Sequence, residues 1–356
     1  MATFDVEHFE KNVLRPYRLR INNSIKKFLD LQKDEFSGKP EFRVSYNNIC
    51  NLCLNKGKMV RPTLVIKGYE AFGGTDIEAI TDLSVSVELM HCYLLIHDDV
   101  MDKDLMRRGE PTVHHSYKLA LAEYNLEKDL VEHTSNSLAI LDGDILEALA
   151  YRPILDSPFA PELKVKAIME NSKTIVNTGL GQKLDVLSTI KKPSLEEIFH
   201  IARLKTAEYT IAKPLIQGGI FAGANDVELK TFYDYGYNTG IAFQLKDDEL
   251  GLSPEKLNKG KNDISEGKMT AIIIRTYSEL SEDERSEFDT LLGSKNPDEV
   301  KRALELIKKT DAITHNMQLY EEFANKACNT INNSNFNYET NEFFCNFAKY
   351  VVKRVV

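Results

Sequence analysis

The sequence contains no tryptophan, which fits poorly with an aromatic-lined cyclisation pocket. Its 18 glycines and 11 prolines are few for 356 residues, about 8% of the chain against ~12% in average usage. So sparse a supply of turn residues implies long elements and few loops. With only short apolar runs and little strict alternation, that favours helices. The five cysteines, Cys50, Cys53, Cys92, Cys328 and Cys345, are an odd and sparse set. Cys50 and Cys53 make one CxxC, but no second pair stands at zinc-site spacing, so all five read as small core thiols in a reducing compartment. No apolar stretch approaches the ~20 residues of a membrane span. The acidic start lacks the basic and apolar segments of a secretory signal, and Lys353-Arg354-Val355-Val356 carries no prenylation cysteine. A net charge of −9 argues against a nucleic-acid partner. With 42% apolar and 28% charged residues the chain can bury a core. These features point to a cytoplasmic protein without a transmembrane segment.

Helical spacing runs through residues 5–32, where Phe9, Val13, Tyr17, Ile21, Ile25, Phe28 and Leu29 recur at three- and four-residue steps. A helix is expected after Lys58-Met59-Val60-Arg61-Pro62, with Pro62 in its first turn. From Asp76 to about Leu105 stands one nearly uniformly apolar helix, which should be central. Further helices are expected at about 129–151, 162–189, 195–222, 226–251, 268–292, 297–308 and 310–331, with a last amphipathic piece after Asn332-Asn333-Ser334-Asn335. No hairpin signal, repeat or interdomain linker is visible, so the expected architecture is all-α and a single domain over 1–356.

The central helix ends in His97-Asp98-Asp99-Val100-Met101-Asp102. At 100° per residue Asp98 and Asp102 share one face, with Asp99 able to orient them. Acids at a helix C-terminus repel one another and oppose the helix dipole, so three after an apolar run call for a cation. The all-oxygen set fits Mg2+, which keeps waters and bridges to substrate phosphates. Arg107-Arg108 follow, and adjacent guanidinium groups clamp phosphate in two-point geometry. A second acidic element, Gln244-Leu245-Lys246-Asp247-Asp248-Glu249-Leu250-Gly251, again follows an apolar helical run, and facing carboxylate helices are a known way to build a metal site. For each motif taken alone, a solvated helix end or a surface salt bridge is the blander reading.

In this order the motifs Gly57-Lys58-Met59-Val60-Arg61-Pro62, His91, Asp98-Asp99-Val100-Met101-Asp102, Arg107-Arg108-Gly109, Gly143-Asp144, Gly181-Gln182-Lys183-Leu184-Asp185, Lys205-Thr206-Ala207-Glu208-Tyr209 and Phe243-Gln244-Leu245-Lys246-Asp247-Asp248 resemble the trans-isoprenyl diphosphate synthases, over about residues 56–270. The resemblance implies the isoprenoid synthase fold, a helical bundle around a central cavity, and usually a homodimer. It implies that Lys58, Arg61, His91 and Arg108 hold isopentenyl diphosphate. The allylic diphosphate is implied to bind through three Mg2+ ions on Asp98, Asp102 and Asp247, with Arg107, Lys205 and the later lysines Lys259 and Lys268 adding charge. Lys205, Thr206 and Gln244 would surround the allylic carbons, and Gln182 and Asp185 would wall the pocket. Gly143-Asp144 reads as structural, with Asp144 a buried hydrogen-bonded acid.

The sequence departs from the family in two places. Many relatives carry a third aspartate where Gly251 stands, and the loop 252–259 is about two residues short, which leaves Lys259 and Lys261 in competition for one role. A catalytically silent subunit of a heteromeric synthase is therefore an alternative to an active short-chain synthase. A one-diphosphate terpene cyclase would not need Lys58, Arg61 and Arg108, and a His-Asp phosphohydrolase would need more clustered histidines than the eight present. For product length the helical wheel nominates Leu94, with Met90 further round, whereas the family nominates Tyr93. One aromatic at that position resembles the geranylgeranyl (C20) enzymes, with farnesyl (C15) as the alternative.

Overall fold

The computed structural model describes residues 4–54, 57–253 and 262–354. The elements in these segments are helices, apart from one two-residue antiparallel ladder pairing Met106–Arg107 with Glu110–Pro111. The chain divides into two compact units: a first of Glu10–Ile168 with Ile220–Gly223, and a second of Met1–Phe9, Met169–Gly219 and Ala224–Val356.

In the first unit the helices Arg15–Gln32, Pro40–Leu54, Val60–Ala71 and Lys128–Ala150 pack on the helix Ile77–Met101. Asp76 starts that helix by accepting a hydrogen bond from the Ala79 amide at 3.0 Å. Every residue from Leu83 to Tyr93 is buried, as expected of a helix apolar on all sides. By length and composition it would pass as a membrane span, which corrects the expectation that no apolar stretch is long enough. However, 83% of its most apolar window is buried within the protein, the position of a core helix. It ends at Met101 rather than near Leu105, because Lys103 turns left-handed (φ 56°).

The ladder that follows was not anticipated. Arg108 (φ 53°) and Gly109 (φ 89°) both adopt the positive φ of a type I′ hairpin turn, but two-residue strands leave no alternation to read. The helices Pro40–Leu54 and Val113–Leu121 were also unforeseen. Each buries only three residues, two of the six polar or histidine, so their apolar stripes are weak.

The second unit centres on the helix Asp226–Gly251, which packs on Arg203–Ala212, Ala312–Asn332 and Tyr338–Lys353. Asn225 caps it, accepting from the Val227 and Glu228 amides while Glu228 accepts from the Asn225 amide. Phe232 on this helix and Phe344 and Phe347 on Tyr338–Lys353 are fully buried, each worth about 2 kcal/mol of transfer free energy. Gly236 and Gly240 allow the closest approach, since a Cβ there would collide with Ala212 and Ala207. The expected single helix 195–222 is instead Leu195–Ala202, a π-helical stretch Arg203–Ala212, and Lys213–Phe221. The expected 268–292 helix is divided into Ala271–Glu279 and Glu282–Leu291 by extended Leu280 and the Ser281/Glu284 capping box.

Candidate active site

In the first unit, the last turn of Ile77–Met101 leaves Asp98 partly exposed and Asp102 exposed, while Asp99 is buried. The hairpin returns Arg107 to this end, where its Nε and Nη2 donate to Asp99 Oδ1 at 2.7 and 2.5 Å. Nη2 also lies 3.9 Å from Asp98 Oδ2. Burial pushes the Asp99 carboxyl up to about 6, against the pull of Arg107. Asp99 therefore anchors the arginine and leaves Asp98 and Asp102, both oxygen donors, at the helix edge. Among the described residues no group of three or more His, Cys, Asp or Glu side chains closes a metal cage. An ion on one or two carboxylates, completed by water and phosphate, is the arrangement that suits Mg2+.

A second cluster in this unit joins Arg61, His91 and Arg108. Met59, buried and left-handed (φ 53°), turns the chain into the helix Val60–Ala71, with Lys58 exposed and Arg61 half-buried on either side. At Gly57 a Cβ would stand 3.0 Å from Arg108 Nη1 and 3.5 Å from Glu88 Oε1, so the missing side chain gives the guanidinium its room. His91 is buried, and its pKa is driven well down by burial and by the charges of Arg61, Arg108 and Arg107. The ring is therefore neutral, able to donate one hydrogen bond while the arginines carry the charge. Glu88, one turn earlier, is the residue that motif reasoning missed. Burial raises its carboxyl, opposed by Arg61 and Arg108, and its signal was an acid within an apolar helix.

In the second unit a cavity of about 320 Å³ is lined by Asp185, Lys205, Thr206, Gln244, Asp247, Asp248, Asp263 and Lys268 among others. The π-helical stretch aims Lys205 and Thr206 into it, as such insertions commonly do at functional sites. Lys205 Nζ meets Asp185 at 2.6 Å. Thr206 Oγ1 donates to Gln244 Oε1 at 2.7 Å, and Gln244 Nε2 donates to Asp248 Oδ1 at 2.8 Å. That chain fixes the Thr206 proton and leaves lone pairs on its oxygen. Asp248 is buried, and burial, with Asp263 and Asp247 nearby, holds its carboxyl well above the usual range. Lys268 Nζ pairs with Glu266 at 2.7 Å. A larger groove of about 490 Å³, with Leu184, Lys191, His200 and Tyr237 in its wall, contains none of the candidate residues.

The polyprenyl synthetase family model matches residues 43–308. The chain belongs to this family. A short chain isoprenyl diphosphate synthase of Methanocaldococcus jannaschii is 33% identical over 84% of this chain and 83% of its own length. A geranylgeranyl diphosphate synthase of Sulfolobus acidocaldarius is 30% identical over 87% and 90%. The solved geranylgeranyl pyrophosphate synthase of Corynebacterium glutamicum, complexed with isoprenyl diphosphate and magnesium, has a TM-score of 0.89 at 27% identity, over 96% of this chain and 99% of that one.

Against this polyprenyl synthetase background several residues take unexpected positions. A Cβ on Gly251 would collide with the Asp263 carboxyl, so Asp263 fills the space beside this glycine. Arg354, 107 positions from Asp247, donates to Asp247 Oδ1 at 2.6 Å and to the Phe243 carbonyl at 3.2 Å. Its guanidinium also stacks on the Phe243 ring at 3.9 Å. Gln182 is half-buried one turn before Asp185, which is the residue that this helix contributes to the cavity. Asp144 is exposed, 3.6 Å from His97 Nε2, which corrects its expected burial. The buried acid is Asp142, accepting from Tyr117 Oη at 2.8 Å. Gly143 is small because any side chain would strike the His97 ring. Tyr93 and Met90 are buried and Leu94 is half-buried. Tyr93 lies edge-on to His97 at 5.8 Å, and His97 reaches the Ile140 carbonyl at 3.2 Å, so the tyrosine shares the face turned to Lys128–Ala150. Lys259 lies outside the described residues.

Proposed function

We propose that this trans-prenyltransferase condenses isopentenyl diphosphate with an allylic diphosphate and releases geranylgeranyl diphosphate. The observation that carries the reading is the second unit's cavity, where Lys205 and Lys268 offer charge to a phosphate and Asp247 offers oxygen to a cation. Asp98, Asp102 and Asp247 are assigned to three Mg2+ ions, a choice supported by their oxygen-only chemistry. Bound there, Mg2+ would neutralise charge on the departing diphosphate. Lys205, Lys268, Lys259 and Arg107 hold that diphosphate, and the Thr206 oxygen and Gln244 face the allylic carbons as positive charge develops. Lys58, Arg61, Arg108 and neutral His91 hold isopentenyl diphosphate, whose double bond attacks before a proton is lost to the released diphosphate. The family match takes in most of both units, which supports one synthase domain. Exposed Leu130, Leu141 and Ile145 on one helix support pairing as a homodimer.

Incubating the purified protein with isopentenyl diphosphate, Mg2+ and each allylic diphosphate, then sizing the products, tests this. The expected product is C20. A C15 product would indicate a farnesyl-type enzyme, and no product from any pair would favour the silent-subunit reading. That reading rests on Gly251 and the short loop 252–259, and Asp263 keeps a carboxyl group beside Gly251. Tyr93→Ala should lengthen the product because the ring closes the face toward Lys128–Ala150, while Leu94→Ala should lengthen it less. Unchanged length in Tyr93→Ala would place the floor elsewhere, Met90 being the next candidate. Arg61→Ala should raise KM for isopentenyl diphosphate more than for the allylic substrate, since a lost clamp acts mainly on its own ligand. The reverse pattern would mean that the two diphosphate sites are exchanged.

A further inference from the structure

We propose that Cys328 and Cys345 form an oxidisable dithiol, a modification site at which a small disulfide closes a bond between the last two helices. The proposal rests on the packing of the second unit and not on the catalytic reading. The helices Ala312–Asn332 and Tyr338–Lys353 pack together across the short connection 333–337. The two cysteines stand on either side of that turn, one on each helix. Cys328 Sγ donates to the Cys345 carbonyl at 3.6 Å, and Cys345 Sγ donates to the Cys328 carbonyl at 3.7 Å. Each sulfur therefore lies against the other residue's main chain, and the two side chains also interact directly, which brings the thiols within reach of one another. Both residues are half-exposed, whereas Cys53 and Cys92 are buried.

The two thiols are also chemically unequal. The neighbouring Cys328 side chain, with the charge of Lys349 one turn away, lowers the Cys345 thiol. Cys328 is driven up by Cys345 and by burial. Cys345 is thus the attacking thiolate and Cys328 the resolving thiol. With oxidised glutathione, the Cys345 thiolate attacks one sulfur, the glutathione S–S bond breaks, and one glutathione leaves as a thiolate that takes a proton from solvent. Cys328 then loses its proton and attacks Cys345 Sγ, which expels the second glutathione. Two protein thiols are oxidised and one small disulfide is reduced to two thiols. The new bond ties down the helix whose C-cap, Arg354, holds Asp247.

The full-length reduced protein, treated with oxidised glutathione and then alkylated, is mapped by peptide mass spectrometry. The expected result is one cross-link joining the Cys328 and Cys345 peptides, with Cys53 and Cys92 alkylated only after denaturation. Oxidation should also raise the melting temperature, because the bond constrains the unfolded chain. Cys328→Ser should stall with a single glutathionyl group on Cys345, and Cys345→Ser should react at Cys328 at least about tenfold more slowly. Absence of the cross-link in the wild-type protein, whether as unlinked adducts or as no reaction, would overturn the proposal. Equal reactivity of Cys328 in Cys345→Ser would overturn the assignment of roles.

Discussion

Turnover should fall at least about 100-fold when Asp98 or Asp102 is replaced by asparagine, because the amide keeps the shape and removes the charge that a divalent ion requires. The local geometry makes this a clean comparison. Both side chains stand at the solvent edge of the last helical turn, where two acids repel each other and oppose the dipole, so neither variant should lose stability. Asp99→Asn serves as the contrast, since Asp99 is buried and binds Arg107 at 2.7 and 2.5 Å. That substitution should lower the melting temperature as well as activity, because it leaves a guanidinium without its buried counter-charge. The measurement is kcat at saturating Mg2+ and both diphosphates, with thermal unfolding followed in parallel. Near-normal turnover in both Asp98→Asn and Asp102→Asn would remove the metal assignment.

Asp247→Asn should be comparably severe and Asp248→Asn much milder, although the two residues are adjacent. Asp247 lines the cavity with its side chain 39% exposed, so its carboxylate is available to an ion. Asp248 is buried, accepts from Gln244 Nε2 at 2.8 Å, and is held well above the usual carboxyl range chiefly by burial. A carboxyl already biased toward its neutral form has little charge to lose on becoming an amide, and asparagine keeps the accepting oxygen. Asp247→Asn also strips Arg354 of its counter-ion. Arg354→Gln is the control, since it removes that ion pair while leaving the Asp247 charge. Equal losses of kcat in Asp247→Asn and Asp248→Asn would mean that the helix Asp226–Gly251 presents a different face to its ligand. A loss in Arg354→Gln as large as that in Asp247→Asn would mean that the ion pair, and not the metal, explains the effect.

Where chemistry depended on short spacing, the sequence alone was sufficient. Asp98 and Asp102 share a face because they are four residues apart on a helix, and a nearly uniformly apolar stretch made Ile77–Met101 a core helix. The ordered motifs from Gly57 to Asp248 identified the family. Other features depended on residues far apart in the chain, which periodicity cannot bring together. Packing of Gly236 and Gly240 on Ala212 and Ala207 sets the π-helical stretch beside the helix that carries Gln244, so that Thr206 can donate to it. Asp263 fills the space beside Gly251 only because a later segment folds back there. Arg354 reaches Asp247 only because the terminal helix packs on Asp226–Gly251. Asp142 rather than Asp144 is buried because helix rotation, set by the neighbours of Lys128–Ala150, selects which acid faces inward. The sequence determined which residue types recur on each helical face, since that follows from 100° per residue. Only the tertiary structure decided which faces meet, because that depends on steric fit between segments a hundred residues apart.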